Sequence, residues 1–254
     1  MSINTLLRLL LLLSIAVTVT GCEEDDDGPD DTATDCSPAT HDENTLVILP
    51  LGDSRVDGAR PDYESYRYEL YKRFVENNQS VDFIGSRTDE ADYAAVNEVC
   101  FDTDHEGTGG ATTQDILATL QNTTFTKTPD VVTLGIGGNN LLQGQEVTET
   151  VANLNQVIDE LQTLNPELVI FLEQIAPTLS TSEEAQLQDQ LDTYNEQIPT
   201  VAAEQTADGH RVIVVDMASN WSDDYFADPV HYNEAGAAVV AERYHTAIVA
   251  EFFN

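Results

Sequence analysis

The chain reads as an α/β domain in which a parallel sheet is covered by helices on both faces. Two observations carry this. From Asn44 onward, short β-branched runs alternate with longer amphipathic stretches, the order of successive βα units. The chain has 254 residues, 41% of them hydrophobic, enough for one substantial core, and no internal repeat argues for more than one domain.

The elements follow in order. Leu46 to Leu51 (LVILPL) is apolar on both faces, as a strand buried in a parallel sheet must be. A helix over Tyr63 to Asn77 follows, then a second strand over Val81 to Gly85. Thr112 to Gln121 is the next helix, and Asp130 to Ile136 (DVVTLGI) the third strand. Val147 to Leu164 reads as a helix, bounded by Pro166 before the strand Leu168 to Glu173. Pro177 closes that strand's exit. Gln186, Leu187, Leu191 and Tyr194 fall at helical spacing within Thr181 to Thr206. Val212 to Asp216 is the fifth strand, and Asn233 to Phe252 the last helix.

The amino terminus precedes this domain. Leu6 to Val19 is apolar with one basic residue, Arg8, too short for a comfortable membrane span and suited to a signal-peptide core. It ends in Val19-Thr20-Gly21-Cys22, which resembles the lipobox of bacterial lipoproteins, so residues 1–21 are expected to be removed and Cys22 lipidated. The acidic run EEDDDGPDDTATD that follows cannot bury apolar surface, and 22–43 is expected to be a solvated tether. Such a chain is expected to be exported and anchored by lipid to a bacterial membrane, facing periplasm or exterior, and to touch the membrane only through that anchor. Cys36 and Cys100 remain as an even pair, a candidate disulfide in an exported protein.

The formal charge is −36, with ten basic residues, two of them Lys. A nucleic-acid partner is excluded, because phosphate contacts need clustered Lys and Arg. So acidic a surface is tolerated best where salt screens it.

Four short motifs bear on chemistry. Gly52-Asp53-Ser54 leaves the first strand at its carboxyl end, where loops of such sheets gather ligands. HEGTGGATTQD places a glycine where a helix begins, and a residue without Cβ lets an N–H approach a ligand closely. LGIGGNNLL brings Asn139, a neutral donor able to bind a developing oxyanion, to the end of the third strand. FADPVHYNEAG sets Asp228 three residues before His231, where a carboxylate can hold an imidazole in one tautomer. His105, His210 and His245 read as packed or solvated. A metal site is not expected, because no pair of His or Cys stands at ligand spacing.

Taken in that order, these motifs resemble the SGNH (GDSL-type) hydrolases, and LPLGDS, VDFIGS, DTDHEGTGG and DPVHYNEAG look most like the acetyl xylan esterase branch of the carbohydrate esterases. The resemblance covers most of 44–254. It implies a flavodoxin-like, three-layer α/β/α fold with a five-stranded parallel sheet, and ester hydrolysis without a metal or organic cofactor. It assigns Ser54 as nucleophile, His231 and Asp228 as the rest of a triad, and the Ser54 N–H, Gly110 and Asn139 as oxyanion donors. Gly107, Gly109 and Gly110 all stand in that loop, and Gly110 is chosen by matching HEGTGG to His-Glu-Gly-x-x-Gly. Three residues depart from the family pattern: Arg55 after the serine, where it could alter which acyl or sugar group fits, Asn140 in place of Asp, and Tyr232 after the histidine. The implied substrate is a small acyl ester or O-acetylated polysaccharide, and the protein is read as a monomer. The alternatives are a lipid or thioester acyl hydrolase of the same fold and a surface carbohydrate-binding protein with a dead site.

Overall fold

The computed structural model describes residues 36–253. Strand β1 (Leu46–Gly52) is buried on both faces and lies in the middle of the sheet. Along one side it pairs in parallel first with β2 (Val81–Phe83) and then with β4 (Asp104–Gly107). Its other side pairs with β5 (Val131–Gly135), followed outward by β6 (Val169–Gln174) and β7 (Arg211–Asp216), all parallel. The short β3 (Arg87–Thr88) runs antiparallel on β4.

Pro50 explains how a proline survives in a central strand. The Leu46 N–H donates to Ser80 O, while Ile48 O and Gly52 O accept from Ile84 and Thr108, so even-numbered residues face the β2/β4 side. Pro50 falls in the gap between those two strands. Its missing N–H therefore removes no ladder bond.

Helices cover both faces. On one pack α3 (Thr113–Asn122), α5 (Val147–Leu164) and α6 (Ala185–Ala207), enclosing Leu49, Leu134, Ile170 and Leu172. On the other lie α2 (Arg67–Glu76) and α7 (Glu234–Phe252), where Phe74 and Val240 meet Ile48, Val131 and Phe171. Each such fully buried side chain contributes about 1.5–3 kcal/mol. Two short helices, α1 (Ser54–Asp57) and α4 (Gly138–Leu142), start just past β1 and β5.

The expected layers and parallel sheet are present, with a corrected count: seven strands among the described residues rather than five. The two additions, β3 and β4, are polar in sequence, so no apolar run announces them. His105 and Glu106 of β4 are nonetheless buried, because Glu106 accepts the Ser86 N–H and Oγ–H and His105 Nδ1 accepts the Gly107 N–H. The helix expected from Tyr63 begins at Arg67, since Ala59 to Tyr66 is spent on a turn whose Glu64 N–H bonds to Tyr232 O.

The expected signal segment and Cys22 lie outside the described residues. The expected tether is described only from Cys36, and from there it is attached to the domain. Cys36 forms a disulfide with Cys100, Ser37 bridges Val99, and His41 Nδ1 lies 3.1 Å from the Asp82 carboxylate.

Candidate active site

The carboxyl ends of β1, β4, β5, β6 and β7 converge on one edge of the sheet, and the chain leaves each through a site loop. Past Gly52, Asp53 caps α1 by accepting the Arg55 N–H on Oδ1 at 3.0 Å, which lifts Ser54 to the helix start. Ser54 Oγ lies 2.8 Å from His231 Nε2. His231 Nδ1 lies 2.7 Å from Asp228 Oδ2, and the other Asp228 oxygen accepts the Val230 and His231 N–H groups at 2.9 and 2.8 Å. Burial pushes the Asp228 carboxyl up, but those N–H bonds and the His231 ring outweigh it and hold the group below the usual carboxylate range. The aspartate stays charged and holds the ring with its Nε2 lone pair toward the serine hydroxyl. Such a ring can take the hydroxyl proton as the oxygen attacks a carbonyl.

Hydrogen-bond accounting separates the three loop glycines. The Gly107 N–H donates to His105 Nδ1 at 3.0 Å and the Gly109 N–H to Asp57 Oδ2 at 2.9 Å, whereas the Gly110 N–H has no acceptor among the described residues. The Ser54 N–H is likewise without one. Gly110 has φ +75°, a backbone other residues rarely adopt. Asn139, second residue of α4, donates its Nδ2 to Ala111 O at 3.0 Å and sits a longer 3.4 Å from Asp53 Oδ2. The long contact is the weaker one, and an anionic oxygen could displace it.

The departures from the family pattern have structural reasons. Asn140 is buried; its Oδ1 accepts the Thr113 N–H at 3.0 Å, and its Nδ2 donates to Thr113 Oγ1, Gln114 Oε1 and Gln145 Oε1. An aspartate could not make the second set. Tyr232 is buried against Trp221 and under the Arg55 guanidinium. Arg55 turns its guanidinium onto three backbone carbonyls.

Two neighbours were not legible beforehand. Tyr63 stacks on the His231 ring, centroids 3.9 Å apart and planes 13° off parallel, and so restrains the imidazole. Asp57 pins the loop of Gly110 through Gly109. Neither carries a sequence signal beyond an unremarkable loop Tyr and an acid in a turn. Of the other histidines singled out in the sequence, His105 is buried and His210 and His245 are half-buried. Burial, with Arg67 and Arg87 nearby, holds the His105 ring down to about 3, while His210 and His245 bond to Gln205 and Gln79.

Beside Ser54 lies a pocket of about 40 Å³, walled by Asn139, Leu142, Ile175, Leu187, Leu191 and Val230. The described grouping that could hold a metal is His41, Asp82 and Asp102, at the opposite end of β1. Asp82 there is already paired with Lys127 at 2.5 Å and with His41.

The family model of the GDSL-like lipase/acylhydrolases matches residues 51–239. The chain belongs to that family. Ester hydrolysis by a serine hydroxyl is the chemistry such membership carries. Among solved structures, this GDSL hydrolase is similar to a family 3 carbohydrate esterase from Clostridium thermocellum, at 29% identity and TM-score 0.65, covering 80% of this chain and 94% of the other. A family 3 carbohydrate esterase from Talaromyces cellulolyticus (20% identity, covering 82% of this chain and 99% of that one) and an acetyl esterase mutant crystallised with acetate (21%, the same coverage) share the fold, each at TM-score 0.67. A protein of Acetivibrio thermocellus with the provisional name endoglucanase X is 29% identical over 129 residues, 50% of this chain. The match spans about half of that curated relative's length, 53%.

Proposed function

We propose that the protein is an exported esterase that removes O-acetyl groups from carbohydrate, using Ser54, His231 and Asp228 as a triad. The single observation that carries the reading is the bond chain from Ser54 Oγ through His231 Nε2 and Nδ1 to Asp228. His231 takes the Ser54 proton as Oγ attacks the ester carbonyl, and Asp228 stabilises the imidazolium. The Ser54 and Gly110 N–H groups and the Asn139 amide receive the tetrahedral oxyanion, each donor worth about 3 kcal/mol of barrier by analogy with other oxyanion holes. His231 then returns the proton to the leaving alcohol, and a water repeats the cycle to release the acid.

The pocket beside Ser54, walled by Leu142, Ile175, Leu187 and Val230 together with Arg55 and Thr178, gives the acyl half a place to sit. The carbohydrate esterase relatives support the alcohol half. The test compares acetate release from acetylated xylan with hydrolysis of acetyl, butyryl and octanoyl model esters. Acetate release with rates falling along the series is expected, and octanoyl preference without acetate release refutes the assignment. Export and anchoring rest on the segment ending at Cys22, and mass analysis of membrane-extracted protein is expected to find an acylated Cys22 at the mature amino terminus. An unmodified chain cleaved elsewhere would refute it.

A further inference from the structure

Arg55 follows Ser54 directly, yet its guanidinium is committed to segments more than a hundred residues away. Nε donates to Val230 O at 2.8 Å, Nη1 to Ala176 O at 2.8 Å and Nη2 to Pro177 O at 3.0 Å. Its Cζ lies 4.9 Å from the centre of the Tyr232 ring, which the cation covers. Val230 and Tyr232 are the two residues that flank His231. Ala176 and Pro177 form the exit of β6, and the same two segments meet again where the Leu179 N–H donates to Pro229 O at 2.8 Å. The side chain next to the attacking hydroxyl is thus bolted to both neighbours of the residue that takes its proton.

Resting on the triad reading above, we infer that Arg55 is a positioning residue for the Ser54–His231 pair, its planar fork fixing the distance between the two by holding the Val230 carbonyl and the Tyr232 ring. Only arginine supplies this. A guanidinium offers donors on three nitrogens in one plane, whereas an ammonium is a point donor and an aliphatic residue leaves three carbonyls unpaired. The Arg55 charge also opposes the upward push that burial gives two buried carboxyls, Asp53 and Glu173. Removing it therefore unbalances charge in the layer beneath the site as well as loosening the loop.

The experiment takes Arg55→Ala, Arg55→Lys and Ser54→Ala through steady-state kinetics on an acetyl model ester, with urea unfolding of each. A displacement near 1 Å at a reacting pair costs about 10²-fold. Arg55→Ala is expected to lose about that factor in kcat with KM within about threefold of the parent. Free guanidinium below denaturing concentration is expected to restore at least about tenfold, while giving no gain to the parent. Arg55→Lys, which keeps the charge and at most part of the fork, is expected to fold and to lose about tenfold in kcat. Parent-like kcat in Arg55→Lys, a loss confined to KM, or no guanidinium recovery in a folded Arg55→Ala overturns the inference. A Ser54→Ala variant that retains most of the parent activity instead overturns the reading on which it rests, so the two failures are distinguishable.

Discussion

Glu173 makes the folded protein pay for pH in a direction opposite to most surface acids. It is the penultimate residue of β6, beneath the site and 5% exposed, with Oε1 accepting the Tyr244 hydroxyl at 2.7 Å. A Cβ at position 135 would lie 2.7 Å from its Oε2, so the carboxyl occupies space that only Gly135 leaves open. Burial drives its pKa up to about 7 from an ordinary 4.5; the Tyr244 bond and the Arg55 charge oppose this, and Asp53 adds to it. Between those two values the native chain holds a proton that the unfolded chain has released, so stability contributed by this group falls as pH rises. At about 1.4 kcal/mol per pH unit, the window accumulates on the order of 3 kcal/mol. Glu173→Gln removes the titration and keeps an acceptor for Tyr244, at an initial cost of about 1–2 kcal/mol for a new amide donor. The stability of the variant minus that of the parent is therefore expected to rise from pH 4.5 to 7 and then level off. Urea unfolding followed by the single tryptophan, Trp221, at a series of pH values and fixed high salt measures it. A flat difference, or one falling with pH, refutes the reasoning.

Asn139→Ala is expected to lower kcat by about 10²–10³ with the fold intact, read by steady-state kinetics on an acetyl ester and circular dichroism. Asp228→Asn is expected to lower kcat by about 10⁴, because an amide that donates to Nδ1 leaves the proton on the nitrogen facing Ser54; kinetics on the same ester tests it. Replacing Cys36 and Cys100 by Ser is expected to lower unfolding free energy by about 2–4 kcal/mol, since the disulfide closes a separation of 64 residues, while kcat stays unchanged.

The five expected parallel strands were legible because burial on both faces forces runs such as LVILPL and VVTLG to be largely apolar. β4 was not, because its DHEG is held by hydrogen bonds rather than by apolar pairing, and β-propensity does not see those. Ser54, Asn139, Asp228 and His231 could be singled out because strand-end turns expose them and their order is distinctive. Three glycines in one loop could not be told apart by composition; which N–H is left over depends on where His105 and Asp57 sit. Arg55 was expected to bear on which group fits the site. It does line the pocket beside Ser54, but its guanidinium is bonded to carbonyls of Ala176, Pro177 and Val230, and backbone acceptors leave no trace in the residues that carry them. The stacking of Tyr63 on His231 is equally a product of chain folding alone.

The most direct test of the account is covalent trapping. An organofluorophosphate reacts with a serine hydroxyl only where a neighbouring base and an oxyanion pocket activate it. Peptide mapping after reaction is expected to find a single phosphorylated residue, Ser54, with loss of esterase activity in step with labelling and no labelling in His231→Ala. Labelling at another residue, or a fully labelled Ser54 in a chain that still hydrolyses esters, would contradict the account.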